Sequence, residues 1–425
     1  MRVTHLSTYN LFGGAAVAAT RLHTALLKYG VDSIMLVGTS NRQEKHQPAP
    51  GVTYLAGNLL SEQLAFGRFV AERLYFLPYE RDRSVRFQFS PAVFGAGLTY
   101  HDAILQADIL HLHWINFGFL SINGLRALFS LGKPIVWTLH DQWAFTGGCH
   151  YSRGCDHFLT HCHDCPYLKK PHAKDLSYRI FEQKTQLFSD AKVHFTPPSH
   201  WLADEGLRSA LLNEFPFNVI PYAIDKHAFA PIDRSDANAR LEIPDIDQPR
   251  LLFGSANVTD TRKGFMHFAE ALKQLHQQQP DLTLEVLVFG KGRSYLFNEL
   301  PYPVRHLGIL TSQEEIVAAY NAADAMVVPS LEDNLPNTVI EALSCGTPVV
   351  GFRTGGIPEM IDHQENGYLA SVGSARELAD GLAFVLNHSA PETLRQNARQ
   401  FAETRFSEEV VAQRHVELYQ NLLSD

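Results

Sequence analysis

The stretch from Pro329 to Glu359 constrains the fold more than any other part of this chain. It follows an apolar run, Ala325 to Val328, that is typical of a buried parallel strand, and it contains a segment, Thr338 to Ser344, that predicts a helix. The loop between them therefore lies at the carboxyl end of a strand. Ligands of open α/β sheets bind at that edge, and a helix that begins there directs free N–H groups and a positive dipole end toward them. The pattern predicts an α/β fold with a phosphate site.

Two carboxylates frame this predicted site, Asp333 on the loop and Glu341 on the helix. A carboxylate beside a phosphate is unfavourable unless it accepts hydrogen bonds from uncharged donors, and ribose and sugar hydroxyls are such donors. Gly346 ends the helix, and Gly355 with Gly356 places a second glycine turn beside the first. The combination indicates a nucleotide-sugar site, although an ordinary strand-loop-helix unit would explain each piece alone.

Size and charge exclude several classes of protein. A chain of 425 residues suits two domains, and 45% apolar with 19% charged residues is typical of a soluble globular protein. A net charge of −9 argues against nucleic acid as the main partner. No segment approaches the roughly 20 apolar residues of a membrane span. The first residues predict a strand rather than a signal peptide, so we expect a cytoplasmic protein.

The amino-terminal half begins like a nucleotide-binding domain. A strand at Arg2 to Ser7, a loop with Gly13 and Gly14, and a helix through about Leu27 follow one another. The three spaced glycines of dinucleotide-binding proteins are missing, which argues against a dehydrogenase. Gly13 and Gly14 would let the backbone approach a ligand, and a plain turn is the alternative.

Two further apolar runs in this half, Asp108 to Trp114 and Gly132 to Asp141, carry His or Asp where a strand should end at the crevice. His113, His140 and Asp141 would therefore lie at the edge of the sheet where ligands bind. A histidine in such a position is often a hydrogen-bonded core residue instead.

Four of the five cysteines are gathered within 17 consecutive residues. They are Cys149, Cys155, Cys162 and Cys165. In a reducing cytoplasm such a cluster more often holds a metal than two disulfides, and the closing Cys-x-x-Cys is a common half of a zinc site. Nearby histidines could replace a cysteine. We predict structural zinc, with disulfides or free thiols as the alternatives.

Two basic features stand out in an otherwise acidic chain. Arg262 and Lys263 lie at a predicted strand-to-helix junction, where two cations suit a diphosphate, although a solvated charge pair is the alternative. Aromatic residues and arginines alternate between Ser61 and Tyr100. They could form a docking surface for a membrane-borne acceptor, or simply pack as core aromatics against arginine stems. A polar segment, Asp233 to Gln248, predicts a linker between domains.

The stretch from Pro329 to Glu359 resembles the signature of retaining glycosyltransferase family 4, in which seven residues separate two glutamates. Asp333 stands eight positions before Glu341, which keeps the spacing but shortens the first acid. The resemblance implies that Asp333 contacts hydroxyls of the donor sugar and that Glu341 contacts the ribose. Four residues would lie against the diphosphate at the helix entrance, namely Asn334, Leu335, Asn337 and Thr338. It also implies that His140 is a catalytic residue that faces the donor sugar, with Asp141 next to it and His113 as a supporting residue. Backbone at Gly308 and Leu310 would meet the nucleotide base.

This family has the GT-B fold, two Rossmann-like domains that face a central cleft. The resemblance implies an acceptor-binding domain at 1–235 with a Cys-rich insert near 147–166, a donor-binding domain at 236–405, and a helix at 406–425 that returns to the first domain. The insert is similar to that of bacterial members that build exopolysaccharide or lipopolysaccharide.

The function that this resemblance implies is a retaining transfer. The sugar would pass from a UDP- or GDP-sugar to a hydroxyl of a glycan or lipid-linked acceptor, in contact with the inner face of the membrane, and without a catalytic metal. The alternatives are a GT-B epimerase or phosphorylase that uses the same cleft, and an inactive nucleotide-binding subunit.

Overall fold

The computed structural model describes residues 1–39, 49–292 and 297–424, and they form two compact units. The first comprises Met1–Pro221 with Val411–Asp425, and the second comprises Tyr222–Val410. No described helix is long and apolar enough to cross a membrane.

The first unit is built on a parallel sheet with helices between its strands. Its strands are β1 (Arg2–Ser7), β2 (Asp32–Val37), β3 (Val52–Tyr54), β4 (Ile109–Leu112), β5 (Ile135–Trp137) and β6 (Val193–Phe195). Its helices are α1 (Gly14–Lys28), α2 (Leu59–Phe76), α3 (Asp102–Leu105), α4 (Ile122–Phe129), α5 (Leu176–Phe188) and α6 (His200–Arg208).

The second unit repeats this plan. Its strands are β7 (Arg250–Asn257), β8 (Glu285–Lys291), β9 (Val304–Gly308), β10 (Ala325–Val328), β11 (Val349–Phe352) and β12 (Gly367–Ala370). Its helices are α7 (Arg234–Arg240), α8 (Phe265–Gln278), α9 (Gln313–Asn321), α10 (Asn337–Ser344), α11 (Ala375–Leu386) and α12 (Pro391–Phe406). The last helix, α13 (Glu408–Ser424), begins in this unit and continues into the first.

Both sheets have the same strand order. The first runs β3-β2-β1-β4-β5-β6 and the second runs β12-β11-β10-β7-β8-β9, which is the same sequence read from the other edge. All strand pairs in both sheets are parallel. The order reverses between β1 and β4 in one sheet and between β7 and β10 in the other. Crevices for ligands open at such reversal points, beyond the carboxyl ends of the strands.

The central strands are buried on both faces, as parallel strands covered by helices must be. All four residues of β10, Ala325–Val328, are buried, at the bounds that the sequence predicts. Phe253 of β7 packs against Phe265 and Phe268 of α8, which covers this sheet. Such packing removes apolar side chains from water and holds the strand ends, and the loops that follow them, in fixed places.

The prediction of a linker at Asp233 to Gln248 was wrong for residues 234–240, which form helix α7. Asn238 of this helix is buried, and Arg250 Nη1 donates a hydrogen bond to its side-chain oxygen at 2.5 Å. Arg250 also pairs with Glu285 at 2.8 Å, so the buried cation is neutralised. These buried polar contacts fix the helix on the second sheet.

The carboxyl-terminal helix contributes to the core of the first unit. Tyr419 is fully buried, and its hydroxyl lies 2.6 Å from Nδ1 of His111 on β4. A buried phenol hydroxyl needs such a partner, so this contact fixes the helix on the first sheet.

Candidate functional site

The loops that follow β7 and β10 meet where the strand order of the second sheet reverses. Arg262 and Lys263 lie on a single 3₁₀ turn after β7, and the side chain of Asp260 caps that turn by accepting from the N–H of Arg262 at 3.0 Å. The N–H of Leu331, on the loop after β10, donates to the carbonyl of Arg262 at 2.8 Å. The two loops are therefore tied together through their backbones.

Asp333 joins the side chains of these loops. Lys263 Nζ donates to Oδ2 at 2.6 Å, and Arg262 Nη1 lies 3.4 Å from Oδ1. Ser330 Oγ donates to Oδ2 at 3.2 Å. An ionised carboxylate can accept about four hydrogen bonds. The three contacts of Asp333 therefore leave capacity for about one more, which a ligand hydroxyl could fill.

The two cations decide the charge of Asp333, whose side chain is 8% exposed. Burial, the strongest influence, raises its pKa, but Lys263 and Arg262 more than offset that effect, and the pKa lies below its usual value. Asp333 is therefore ionised at neutral pH.

Two glycines allow the loops to approach this closely. A Cβ on Gly264 would lie 1.8 Å from the carbonyl oxygen of Pro329, and a Cβ on Gly355 would lie 1.7 Å from that of Asp333. Both residues also have positive φ, of +74° and +55°. A side chain is excluded at both positions, which explains the glycines that precede α8 and follow β11.

Helix α10 begins directly after the Asp333 loop. Asn334 and Leu335 are buried in the loop, and Asn337 and Thr338 are the first two residues of the helix. Pro336 caps the helix without a side-chain hydrogen bond. The first backbone N–H groups of a helix carry partial positive charge and have no partner within the helix, so this entrance suits an anion.

Glu341 lies one turn further along α10. It is buried, and the hydroxyl of Tyr320 donates to its Oε2 at 2.8 Å. Tyr320 therefore fixes the orientation of this carboxylate. Gly308 is the last residue of β9 and has a φ of +74°, and Leu310 lies two residues beyond it, half-buried. Both positions belong to the same edge of the sheet as the Asp333 loop, the edge formed by the carboxyl ends of the strands.

The candidate residues of the first unit lie at the matching edge of its sheet. Gly13 precedes α1 with a φ of +91°, Gly14 opens that helix, and a Cβ on Gly13 would meet nothing within 4 Å. His140 and Asp141 follow β5.

Three histidines of the first unit, one of them His140, form a hydrogen-bonded chain. Nδ1 of His5 lies 2.9 Å from Nε2 of His113, and Nδ1 of His113 lies 3.1 Å from Nε2 of His140. The outer nitrogen of His5, Nε2, is buried and has no hydrogen-bond partner among the described residues. His5 comes from β1, and His113 follows β4, the strand beside it.

This unpartnered nitrogen favours one direction for the protons of the chain. If the protons pointed away from His140, Nε2 of His5 would be a buried N–H without an acceptor, which is costly. If they point toward His140, Nε2 of His5 carries only a lone pair. His140 then accepts at Nε2 and carries its own proton on Nδ1. The hydrogen-bond count therefore favours a neutral His140 with the proton on Nδ1.

Burial lowers the pKa of His140 to about 4, and the neighbouring Asp141 only partly opposes that shift. His140 is thus neutral at pH 7. Three contacts hold Asp141. Its Oδ2 accepts from Nε1 of Trp114 at 3.0 Å and lies 2.7 Å from Nδ1 of His150. Its Oδ1 accepts from the N–H of Trp143 at 2.9 Å. The contact with His150 joins Asp141, the residue after His140, to the Cys-rich segment.

The four clustered cysteines lie on the wall of one small cavity, together with His157 and His163. No disulfide joins the cysteines, all of which are in the described ranges. Among the described residues, one group of three potential metal ligands has its ligand atoms all within 4.8 Å of one another. That group is His5, His111 and His113, and it contains none of the cysteines. Both nitrogens of His111 and of His113 are engaged in hydrogen bonds.

Some residues of these sites escape sequence reasoning. Ser330 contacts Asp333 and Tyr320 contacts Glu341, but neither residue type signals that role in the sequence: Ser330 lies within the Pro329 to Glu359 stretch and Tyr320 before it. His5 carries a weak signal, because a histidine within an otherwise apolar strand needs a buried partner. His150 is visible only as one of several histidines near the cysteines, and nothing in its spacing indicates Asp141.

Two family models match this chain. One described as Glycosyltransferase Family 4 matches residues 12–227, just over half of the 425, and one described as Glycosyl transferases group 1 matches residues 248–388. Together they cover most of both units.

Named relatives agree with this assignment. The chain is 25% identical over 423 residues to a putative colanic acid biosynthesis glycosyl transferase, WcaC, of Escherichia coli, covering 96% of this chain and 97% of the relative. It is 33% identical over 199 residues to a D-inositol 3-phosphate glycosyltransferase of Saccharomonospora viridis, covering 43% and 45% of the two chains.

Solved structures share the fold. Anabaena HepE, solved in complex with UDP-glucose, matches with a TM-score of 0.64 at 17% identity and covers 99% of this chain and 100% of its own. A sucrose-phosphate synthase of Thermosynechococcus elongatus matches with a TM-score of 0.64 at 19% identity, over 100% and 99% of the two chains. These likenesses confirm the predicted GT-B fold of two Rossmann-like domains. The chain belongs to glycosyltransferase family 4.

Proposed function

We propose that this glycosyltransferase is a retaining enzyme that moves a sugar from a UDP- or GDP-sugar to a hydroxyl of a glycan or lipid-linked acceptor. The proposed setting is the synthesis of bacterial surface polysaccharide. The observation that carries the proposal is the contact of Lys263 and Arg262 with Asp333 beside the entrance of α10. Two findings support the donor and the pathway: HepE was solved with UDP-glucose, and WcaC is named for colanic acid.

The donor diphosphate would lie between Lys263, Arg262 and the first N–H groups of α10. Asp333 places both cations before the donor arrives, so little reorganisation is needed when negative charge develops on the leaving group. Asn334, Leu335, Asn337 and Thr338 form the loop and helix entrance that the diphosphate would contact. The positive charge that assists departure would thus come from the protein itself.

The rest of the donor would extend along the same edge. Glu341, oriented by Tyr320, would accept hydrogen bonds from the ribose hydroxyls. Asp333 has capacity for about one further hydrogen bond, which a hydroxyl of the sugar would supply. Gly308 and Leu310, at the end of β9, would present backbone groups to the base.

The chemical step would pass through an oxocarbenium-like sugar. The diphosphate departs with its bonding electron pair, and the acceptor hydroxyl attacks from the same face and gives up its proton, so that the configuration is retained. His140, which is neutral at pH 7, is the proposed catalytic residue that faces the donor sugar. Asp141 would hold the segment that carries His140, because it joins Trp114, His150 and the N–H of Trp143.

Helix α2 supports contact with a membrane surface that presents a lipid-linked acceptor. Five large apolar side chains on this helix are more than half exposed, namely Leu59, Leu60, Leu64, Phe66 and Leu74. Arg68 lies among them and donates to the carbonyl of Gly118 at 3.2 Å. Exposed apolar residues beside a basic residue suit an anionic lipid surface. The proposed location is therefore the cytoplasmic side of the inner membrane.

A panel of UDP-, GDP- and ADP-sugars tests the proposed reaction. We expect slow hydrolysis of one donor by the purified protein without acceptor, and release of the sugar with the anomeric configuration of the donor, as followed by NMR. Inversion would contradict the retaining mechanism. Nucleotide binding without turnover of any donor would favour an inactive binding subunit. Conversion of a donor to its epimer would identify an epimerase, which neither the family models nor the named relatives favour.

Glu341→Gln is expected to weaken binding of the free nucleoside diphosphate about tenfold, because hydrogen bonds to a charged carboxylate are worth roughly 1.5–3 kcal/mol. Isothermal calorimetry with UDP and GDP would measure the affinity. Glu314→Gln, which changes an exposed glutamate of α9, is the matched control and should bind like the wild type. An unchanged affinity in Glu341→Gln would remove the ribose contact from the proposal.

A further inference from the structure

We propose that Cys149, Cys155, Cys162 and Cys165 bind one divalent zinc-like cation in the first unit. The four residues line one cavity of about 20 Å³. That volume has room for about one water-sized particle. It suits a single ion rather than an organic group, and thiolate sulfur is the ligand that zinc most often takes in structural sites.

The surroundings of the cysteines are arranged for a buried sulfur cluster. Cys149, Cys162 and Cys165 are each at most 8% exposed. The backbone N–H of Gly147 lies 3.1 Å from Sγ of Cys162 and points at it. Backbone N–H groups that point at sulfur stabilise the thiolate form, which is the form that binds metal.

The segment is also held in place around the cysteines. Asp175 accepts from the N–H of Cys165 at 2.8 Å and from the N–H of Ser177 at 2.9 Å, at the start of α5. This carboxylate therefore ties the Cys-x-x-Cys turn to a helix of the core. Asp175 thus holds the backbone of this turn, and its two cysteines, Cys162 and Cys165, line the cavity.

A buried lysine lies at the start of the cysteine segment. Lys184 of α5 is 1% exposed, and its Nζ donates to the carbonyls of Trp143 and Thr146, to the latter at 2.9 Å. Four thiolates around a divalent ion carry a net charge of −2, which is costly to bury without a neighbouring positive group. An ammonium group at this position would offset part of that charge.

Metal binding requires the sulfur atoms to move closer together. Zinc–sulfur bonds are about 2.3 Å long, so the sulfurs of a tetrahedral site lie within about 4 Å of one another. The only regular structure between Cys149 and Cys165 is a three-residue 3₁₀ turn, His157–Leu159. Turns can make such an adjustment without breaking a helix or strand.

Two histidines also lie on the cavity wall, and each has its Nδ1 in contact with an oxygen, as a histidine that binds metal through Nε2 usually does. Nδ1 of His157 lies 2.7 Å from the carbonyl oxygen of His163, and Nδ1 of His163 lies 2.8 Å from Asp164. The two rings also stack, with centroids 4.3 Å apart. These contacts leave Nε2 of each histidine as its potential metal-binding atom. We assign the four cysteines as ligands because they complete the four-thiolate set of closed structural zinc sites, and the histidine variants below test that assignment.

The metal would stabilise the segment that holds Asp141. Cys149 forms an isolated β-bridge with Phe89. The N–H of the next residue, His150, donates to the carbonyl of Gln88 at 3.0 Å. His150 in turn contacts Asp141 at 2.7 Å. A cross-link at Cys149 would thus fix the residue that positions Asp141, so the site would be structural but close to the chemistry.

The first test is the metal content of full-length protein purified under reducing conditions. We expect about one zinc per chain by mass spectrometry. Cys149→Ser and Cys165→Ser should each lose most of it. Cys345→Ser is the matched control, because Cys345 is also buried but lies in the other unit, and this variant should keep its metal. Protein that is folded and metal-free, and that takes up no added zinc or cobalt, would overturn the proposal.

A second test does not require any cysteine variant to fold. Removal of zinc with a chelator and addition of Co²⁺ to the wild type should give the absorbance of four thiolate ligands in tetrahedral geometry. His157→Ala and His163→Ala should leave that spectrum unchanged. A spectrum with fewer thiolates that changes in either histidine variant would overturn the four-cysteine assignment. Both tests read metal rather than sugar transfer, so their outcome is independent of the proposed reaction.

Discussion

Lys263→Ala is expected to lower kcat/KM for the nucleotide-sugar donor by about 100-fold, because removal of one preorganised group that stabilises developing negative charge costs roughly 10²- to 10³-fold. Lys263 Nζ lies 2.6 Å from Asp333 and its side chain is 24% exposed, so it is both placed and accessible to a ligand. Loss of the ammonium also leaves Asp333 with Arg262 as its remaining cationic partner among the described residues. The measurement is steady-state kinetics with the donor identified by the panel.

The matched control is Lys273→Ala, which removes an exposed lysine from α8 in the same unit. It should leave kcat/KM unchanged. The melting temperature of both variants should stay within a few degrees of the wild type, which separates a loss of chemistry from a loss of folding. If Lys263→Ala and Lys273→Ala turn over donor at the same rate as the wild type, Lys263 has no role at the diphosphate.

The first unit is expected to lose stability steeply as the pH falls from about 6.5 toward 4. Burial lowers the pKa of His140 and His415 to about 4, and it also lowers the pKa of His5, His111 and His113 well below the usual value. In the unfolded chain a histidine takes up its proton near pH 6.5. Between these pKa values the unfolded state binds more protons than the folded state. The free energy of unfolding therefore decreases as the pH is lowered.

The size of this effect follows from the shifts. A shift of one pKa unit corresponds to about 1.4 kcal/mol, so His140 and His415 would each contribute on the order of 3 kcal/mol over this range. The groups that face these rings do not remove the effect. Asp141 raises the pKa of His140 only in part, and the His111 ring has the neutral hydroxyl of Tyr419 as a partner. His23 lowers the pKa of His5 further.

Urea unfolding at pH 7.5, 6.5, 5.5 and 4.5 measures this effect, and the chain provides a selective signal. All four tryptophans, Trp114, Trp137, Trp143 and Trp201, lie in the first unit, so tryptophan fluorescence follows that unit alone. His415→Gln should make the dependence on pH shallower. His276→Gln, an exposed histidine of the second unit, should not change it. A free energy of unfolding that stays constant from pH 6.5 to 4.5 would contradict the buried, neutral state of these histidines.

The predictability of these features depends on how far apart the contacting residues lie in the chain. Strand β10 was predicted at its observed bounds because a short apolar run between turn residues is a local signal. The cationic turn and the acidic loop were each predicted as strand-end features. Their contact joins residues 70 positions apart, and it follows only from the strand order that puts β7 beside β10.

The histidine chain shows the same limit more strongly. His5 and His113 are separated by 108 residues, and their pairing depends on the register of β1 against β4. Helix α7 was missed for a different reason: the segment is polar and short, and its buried contacts with Arg250 determine its structure. Sequence patterns therefore indicated where ligands should bind, whereas the contacts that orient the side chains required the fold.

The central claim is that the donor diphosphate binds between the cationic turn and the entrance of α10. A crystal structure of the full chain with UDP or GDP tests it most directly. We predict phosphate oxygens within hydrogen-bond distance of Lys263 or Arg262 and of the first backbone N–H groups of α10, with the ribose at Glu341. A nucleotide bound wholly to residues 1–221, with no contact to Lys263 or α10, would contradict the claim.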